Sequence, residues 1–197
     1  AYDGPVSWID DNRAMMGAAL LMLGFDPNTN VQEEIDQARD MLVENGGNVT
    51  VINQDDGQEL LLRGEVDITV EYSGDIFQIM DECECDTYAY VIPSEGTNVW
   101  VDNLAIPVDA PNKALAEVFI DYVLDPSVGA DISNYTAYAS PNAAAIESGL
   151  IDEEYLGDTG IYPTEETMEN MFFITSDLEM EQMYNDAWDE ILILIGQ

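Results

Sequence analysis

The sequence predicts an α/β layer fold with a largely parallel sheet. Short β-prone runs alternate along the chain with segments whose apolar residues recur at helical spacing. Apolar residues make up 47% of the 197 residues, and their patterning indicates a real core in one or two domains. No stretch of about 18 consecutive apolar residues occurs, so the sequence predicts no membrane-spanning helix.

Strands are predicted at Val6–Ile9, Val49–Ile52, Val66–Tyr72 and Tyr88–Ile92, each a short apolar run closed by a turn residue or a proline. Capping residues and breakers bound the helices between them. Asp10 or Asp11 caps the first helix, which ends at Gly24, and Asn30 with Glu33 caps the second. The predicted helices cover about 12–23, 31–45, 55–62, 75–80, 112–124 and 177–195, with short ones after 126 and 142 and a polar connector at 152–163.

The charge balance narrows the possible functions. The chain has 41 Asp plus Glu against 4 Lys plus Arg, and its formal net charge is −37. Without a basic patch it is not expected to bind nucleic acid or an anionic membrane, whereas cationic small molecules are attracted. The same acidity is also typical of a surface adapted to salt or acid.

The residue types exclude several catalytic and metal sites. There is no His, which removes Ser-His-Asp and Cys-His catalysis and the His-based zinc sites, and leaves carboxylate-pair catalysis as the common route. Cys83 and Cys85 are the only cysteines, so they cannot complete a zinc site and are interpreted as surface thiols or a local disulfide. The sequence therefore predicts no metal and no cofactor.

The most informative stretch is Glu95–Pro107, which has the sequence EGTNVWVDNLAIP. Its apolar run predicts an extended strand, on which Trp100 and Asp102 project to the same face about 7 Å apart. An aromatic ring beside a carboxylate suits a cation with an apolar body. A Trp packed in a core next to a solvated Asp would give the same pattern.

Five segments taken in order resemble the polyamine-binding proteins of bacterial ABC transporters, the spermidine/putrescine type. They are SWIDDNR at Ser7–Arg13, LLRGEVDITVEYSGD at Leu61–Asp75, EGTNVWVDNLAIP at Glu95–Pro107, FIDYVLDPSVGADISNYTAYASPNAAA at Phe119–Ala145 and IYPTEETMEN at Ile161–Asn170. Together they span nearly the whole chain, and other members of this fold carry other small solutes.

The resemblance implies a type II periplasmic-binding-protein clamshell whose ligand lies in the hinge cleft. It implies that Asp11, Tyr72, Trp100 and Asp102 bind the ligand, the two aromatic rings as walls and the two carboxylates as ammonium acceptors. The family's spermidine binders have a Glu at the position of Ala14 and a Gln near the position of Ile174. These departures leave putrescine, another diamine or a different cation open as the ligand.

The resemblance covers roughly the C-terminal three-fifths of such a protein, so a partial fold is expected: most of the second lobe and the returning segment of the first. Residues 1–100 are assigned to the second lobe, 101–152 to the first lobe, and 153–197 to a connector and terminal helix of the second lobe. A signal or lipoprotein anchor is expected in the missing N-terminal part, because none is present at the start of the sequence.

These features predict a monomeric solute-binding protein, not an enzyme, at the periplasm or outer cell surface. Its partners would be a polyamine or diamine and the membrane subunits of an ABC permease. Three alternatives remain open: a solute-binding protein for another small molecule, a carboxylate-pair hydrolase using Asp11 and Asp102, and an acidic, salt-adapted module without a small-molecule site.

Overall fold

The computed structural model describes residues 2–83, 87–175 and 178–196. Its strands are β1 (Val6–Ile9), β2 (Val49–Asn53) and β3 (Ile68–Thr69). Its helices are α1 (Asn12–Leu23), α2 (Gln32–Asn45), α3 (Gly57–Leu62), α4 (Ser73–Cys83), α5 (Lys113–Val123), α6 (Pro126–Thr136), α7 (Ala143–Glu147), α8 (Glu153–Gly157), α9 (Glu165–Glu169) and α10 (Leu178–Ile195), with a 3-10 turn at Gly46–Asn48.

The three strands form one parallel sheet in the order β2-β1-β3, which confirms the predicted α/β architecture. Val6 pairs with Val49 on one side and with Ile68 on the other. The third strand is much shorter than the predicted Val66–Tyr72 run. At its end the amide of Val70 still donates to the Ser7 carbonyl over 3.1 Å, but the ladder goes no further.

Two predicted strands are absent from the described chain. Residues 88–92 and 99–106 contain no strand, so the prediction that Trp100 and Asp102 share a strand face is wrong. Asn98 forms an isolated parallel bridge with Phe172, and the amide of Val99 donates to the Phe172 carbonyl over 2.8 Å. A run of β-prone residues needs a partner strand for its backbone groups, and beyond Val99 the described residues provide none.

The main core lies where α1, α2 and α10 pack on the sheet. Each helix turns its apolar stripe inward, as the helical spacing predicts. The completely buried side chains include Met16, Leu20, Ile35 and Ile191. Met15 and Met16 of α1 are therefore core residues, whereas Met22 of the same helix is exposed.

Helix caps were predicted with mixed success. Asp11 caps α1 by accepting from the amides of Arg13 and Ala14, and Gly24 ends the helix at a φ of 79°, in the left-handed region that favours glycine. The prediction of Asn30 and Glu33 as a capping pair for α2 is wrong. Thr29 accepts from the Val31 amide instead, and its hydroxyl donates to Glu34.

The chain divides into two compact units. The first comprises Ala1–Tyr72, Val91–Trp100 and Glu165–Gln197, and the second comprises Ser73–Tyr90 and Val101–Thr164. Residues 73–90 and 153–164 therefore lie in the second unit, in contrast to the predicted division. The reason is packing, because Phe77 contacts a small core with Ala137 and Ile161. Which lobe of a larger protein each unit represents stays a prediction.

The second unit has two small cores, and its helix α5 contributes to neither of them. Ala130, Ala145 and Ile151 form one core, and the predicted polar connector contributes Ile161 to the other. By contrast, no residue of α5 is buried, although its apolar residues follow the predicted helical spacing. Cys83 is disulfide-bonded, and Cys85 lies outside the described residues. In the described part of the chain, no helix is long and apolar enough to cross a membrane.

Candidate functional site

An open depression lies in the first unit at the carboxyl ends of the parallel strands. Its volume is about 570 Å³. Polar groups line most of it, together with two aromatic rings; the lining residues are Asp10, Asp11, Asn12, Gln54, Asp55, Tyr72, Asn185 and Trp188. Ligands of parallel α/β sheets bind outside this edge, because the loops after neighbouring strands converge there. The depression is therefore the candidate ligand site of the first unit.

Asp11 lies in the depression and also caps α1. Both capping bonds end on Oδ1, at 3.0 Å from the amides of Arg13 and Ala14. The positive end of the α1 dipole lies beside this side chain, as is usual for an acidic N-cap. Asp11 is thus a rigidly held negative charge whose second oxygen takes no part in the cap.

Helix α10 contributes two residues to the lining of the depression, Asn185 and Trp188. The buried indole of Trp188 donates from Nε1 to Oδ1 of Asp10 over 3.0 Å. The side-chain amide of Asn12 donates to Oδ1 of Asn185 over 2.6 Å. These two bonds join the loop after β1 to α10, so the polar groups of the depression are positioned by the core beneath them.

The two predicted aromatic residues contact each other. The rings of Tyr72 and Trp100 meet edge to face, with centroids 5.2 Å apart and an interplanar angle of 68°. Tyr72 lines the depression, whereas 42% of the surface of Trp100 is exposed. The structure therefore places Asp11, Tyr72 and Trp100 in one unit, and their role in binding stays a prediction.

Asp102, the fourth predicted residue, belongs to the second unit and is exposed. The two positions noted as departures lie in the first unit. Ala14 is in the first turn of α1, and Ile174 is exposed just before α10. Neither side chain can accept a hydrogen bond from an amine.

Sequence reasoning missed most of the lining. Gln54 and Asp55 follow β2, and Asn185 and Trp188 come from a helix far along the chain. The ends of adjacent parallel strands meet at one edge, and this rule could have pointed to Asp55. The two residues of α10 had no such signal, because only tertiary packing brings them there.

The charge in the depression has no cationic partner within the lining. Three lining residues are carboxylates, and none is basic. All four basic residues of the chain form ion pairs elsewhere: Arg13 with Glu181, Arg39 with Asp36, Asp40 and Glu190, Arg63 with Glu59 and Glu65, and Lys113 with Glu117. No cluster of three or more acidic or cysteine ligands arranged for a metal ion occurs among the described residues. The site suits an organic cation with both charge and apolar surface.

The family model of the bacterial extracellular solute-binding proteins matches residues 1–156 of this chain. The chain belongs to this family. Among its curated relatives is the putrescine-binding periplasmic protein SpuD of Pseudomonas aeruginosa, with 30% identity over 191 residues, covering 94% of this chain and 52% of SpuD. The spermidine/putrescine-binding periplasmic protein of Escherichia coli is 33% identical over 170 residues, covering 86% of this chain and 47% of that protein.

Solved structures of this solute-binding family show the same fold. The spermidine/putrescine ABC transporter substrate-binding protein PotD from Streptococcus pneumoniae matches with a TM-score of 0.85 and 27% identity, over 98% of this chain and 59% of that one. A putative spermidine/putrescine ABC transporter protein from Listeria monocytogenes matches with a TM-score of 0.84 and 32% identity, over 94% and 56%. The chain spans about half the length of the curated relatives it matches.

Proposed function

We propose that the protein to which this chain belongs captures a polyamine, or a similar small cationic amine, for an ABC importer. The observation that carries the proposal is the depression of the first unit, where carboxylates without a basic partner lie next to an aromatic ring. Membership of a solute-binding family and the names of the relatives support it. Capture by such a protein would take place in the periplasm or at the outer cell surface.

The chemistry of the site matches an aliphatic amine. A carboxylate accepts charge-assisted N–H bonds from an ammonium group, which are about twice as strong as neutral ones. An aromatic ring covers the methylene chain and attracts the cationic end. We assign Asp11 to the ammonium and Tyr72 with Trp100 to the apolar body. Asp102 is included on the strength of the Trp-x-Asp resemblance.

The rival functions find less support. A carboxylate-pair hydrolase using Asp11 and Asp102 has no support from the family or from the names of the relatives. The family is one of substrate-binding transport proteins, and no relative named above is described as an enzyme. A purely salt-adapted module would not need a depression lined by aromatic rings and carboxylates.

A nuclear magnetic resonance titration tests the proposal with the chain as it exists. The backbone amide resonances of the 197-residue chain are followed with putrescine and with 1,4-butanediol, its neutral counterpart. Because the relatives are about twice as long, part of the site is expected outside this chain, so we expect roughly millimolar affinity. Resonances of residues lining the depression should shift with putrescine only. Equal responses to both compounds would refute a cation site.

Matched variants localise the effect. Asp11→Asn removes the charge but keeps the cap, because Asn caps a helix about as well as Asp. Asp189→Asn removes an equal charge from an exposed position of α10 outside the lining. Putrescine binding should weaken about tenfold in the first variant and by less than about twofold in the second. If both variants weaken putrescine binding equally, binding depends on the net negative charge of the chain and not on the position of Asp11.

A further inference from the structure

We propose that Asp55 is the second ammonium-binding carboxylate that the first unit itself supplies, beside Asp11, and that it makes the depression selective for compounds with two cationic ends. The inference rests on the proposed function, since it concerns the same depression. Asp55 lies in the loop between β2 and α3 and lines the depression together with Asp11. It matches none of the positions that the resemblance pointed to.

The loop that carries Asp55 is held on both sides. The side chain of Asn53, two residues before Asp55, accepts from the amide of Asp56, the residue after it, over 2.7 Å. After it, the amide of Gly57 donates to Oε2 of Glu71 over 3.0 Å. A Cβ at Gly57 would clash with Oγ1 of Thr69, so any residue other than glycine would require a shift at this position. The position of Asp55 is therefore set by the end of β3.

Asp55 differs from the other two carboxylates of the depression in what its oxygens already bind. Asp10 accepts from the indole of Trp188, and Asp11 accepts from two amides of α1. Within the described chain, Asp55 receives no hydrogen bond and forms no ion pair. Both of its oxygens remain open to a donor that enters the depression.

The start of α1 offers only its N-cap carboxylate, that of Asp11, because the first turn has no acidic residue and position 14 is alanine. A diamine brings two ammonium groups, and each needs an acceptor once water leaves the site. Asp55 supplies the second carboxylate from a different element of the same depression. A monoamine of equal length would use only one of the two, so the loss of Asp55 should affect the diamine far more.

The test compares putrescine with n-butylamine by the same resonance titration on the 197-residue chain. The variants are Asp55→Asn and, as the matched control, Asp56→Asn, which removes an equal charge from the next residue outside the lining. We expect Asp55→Asn to weaken putrescine binding about tenfold and n-butylamine binding by less than about twofold. Asp56→Asn should change the affinity for putrescine and the affinity for n-butylamine by less than about twofold each.

The outcomes separate the two proposals. If wild-type chain fails to distinguish putrescine from 1,4-butanediol, the proposed function itself is wrong. If it does distinguish them but Asp55→Asn behaves like Asp56→Asn, only the role of Asp55 is wrong. Asp55→Ser, which removes the carboxylate with a different side chain, should reproduce the loss of diamine preference. Melting of every variant, followed by circular dichroism, checks that weaker binding is not caused by unfolding. If Asp55→Ser melts normally and still prefers putrescine over n-butylamine, the inference is overturned.

Discussion

The indole nitrogen of Trp188 donates a hydrogen bond to Oδ1 of Asp10 over 3.0 Å. Trp188 is a core residue of α10, with 6% of its surface exposed, whereas Asp10 belongs to the depression. A buried donor therefore fixes the orientation of a carboxylate at the candidate site. The stability of the first unit and the geometry of its depression are linked through this bond.

Trp188→Phe should lower the free energy of unfolding by about 1–3 kcal/mol, because it removes a hydrogen bond to a charged acceptor and part of a buried ring. Urea denaturation followed by circular dichroism measures the change. Asp10→Asn is the control, since the amide oxygen can still accept from the indole. That variant should lose clearly less stability, and an equal loss in both would assign the effect to the charge of Asp10.

Salt should stabilise the folded chain. Its formal net charge is −37, and the repulsion among exposed carboxylates is screened within about 10 Å at 0.1 M salt and about 3 Å at 1 M. The melting temperature should therefore rise from low to molar NaCl. The variant Glu44→Gln, at an exposed position in the last turn of α2, should melt higher at low salt and gain less from added salt. A melting temperature independent of salt would contradict this account.

Alkaline pH should destabilise the first unit through Tyr184. Burial raises the pKa of Tyr184 to about 12, although the nearby Arg13 guanidinium opposes the shift. An unfolded tyrosine has a pKa of about 10. The stability that comes from keeping Tyr184 neutral in the folded state is therefore fully present below about pH 10 and is lost as the pH rises towards 12. Chemical denaturation of the chain at several pH values should show the free energy of unfolding falling over this range.

Two tyrosine variants assign that alkaline transition. Tyr184→Phe removes the ionisable group and the bonds of its hydroxyl to the carbonyls of Pro27 and Thr29. It should be less stable at neutral pH but lose less between pH 10 and 12. Tyr122→Phe, at an exposed position of the second unit, should leave the profile unchanged. An unaltered pH profile in Tyr184→Phe would rule out Tyr184 as the responsible group.

The features predicted best from the sequence depend on neighbouring residues. Asp11 caps α1 and Gly24 ends it, because both effects act within one helical turn. The predicted cap of α2 failed because the N-cap position is Val31, whose side chain cannot accept a hydrogen bond, and the amide bound by the Thr29 side chain is that of Val31 itself. A residue suited to capping therefore does not fix where a helix begins.

The features predicted worst depend on distant partners. The strand expected around Trp100 does not occur in the described chain, where Asn98 forms an isolated bridge with the distant Phe172 instead. Asp55 and Trp188 reach the depression only through the packing of β2 and α10. The contact between the rings of Tyr72 and Trp100 was implied by neither composition nor spacing, and the binding role that the family resemblance gives these two residues stays a prediction.

The helix α5 should contribute little to the stability of this chain. It buries none of its residues, and 55% of the surface of Phe119 is exposed, whereas Leu20 in α1 is completely buried. Phe119→Ser should therefore change the free energy of unfolding by about 0.5 kcal/mol or less. Leu20→Ala should lower it by about 2–5 kcal/mol, because it leaves a cavity in the main core.

Hydrogen exchange should show the same contrast along the backbone. Helices open locally when few apolar contacts hold them, so the amides of α5 should exchange well before those of α1 and α10. More broadly, residues 101–152 should open before residues 14–72, since the main core lies with the latter. The measurement is mass-spectrometric exchange on the 197-residue chain at neutral pH. Phe119→Ser should leave the protection of α1 unchanged. Equal protection of α5 and α1 would mean that a further contact covers α5 in solution, and the small effect expected for Phe119→Ser would then be wrong as well.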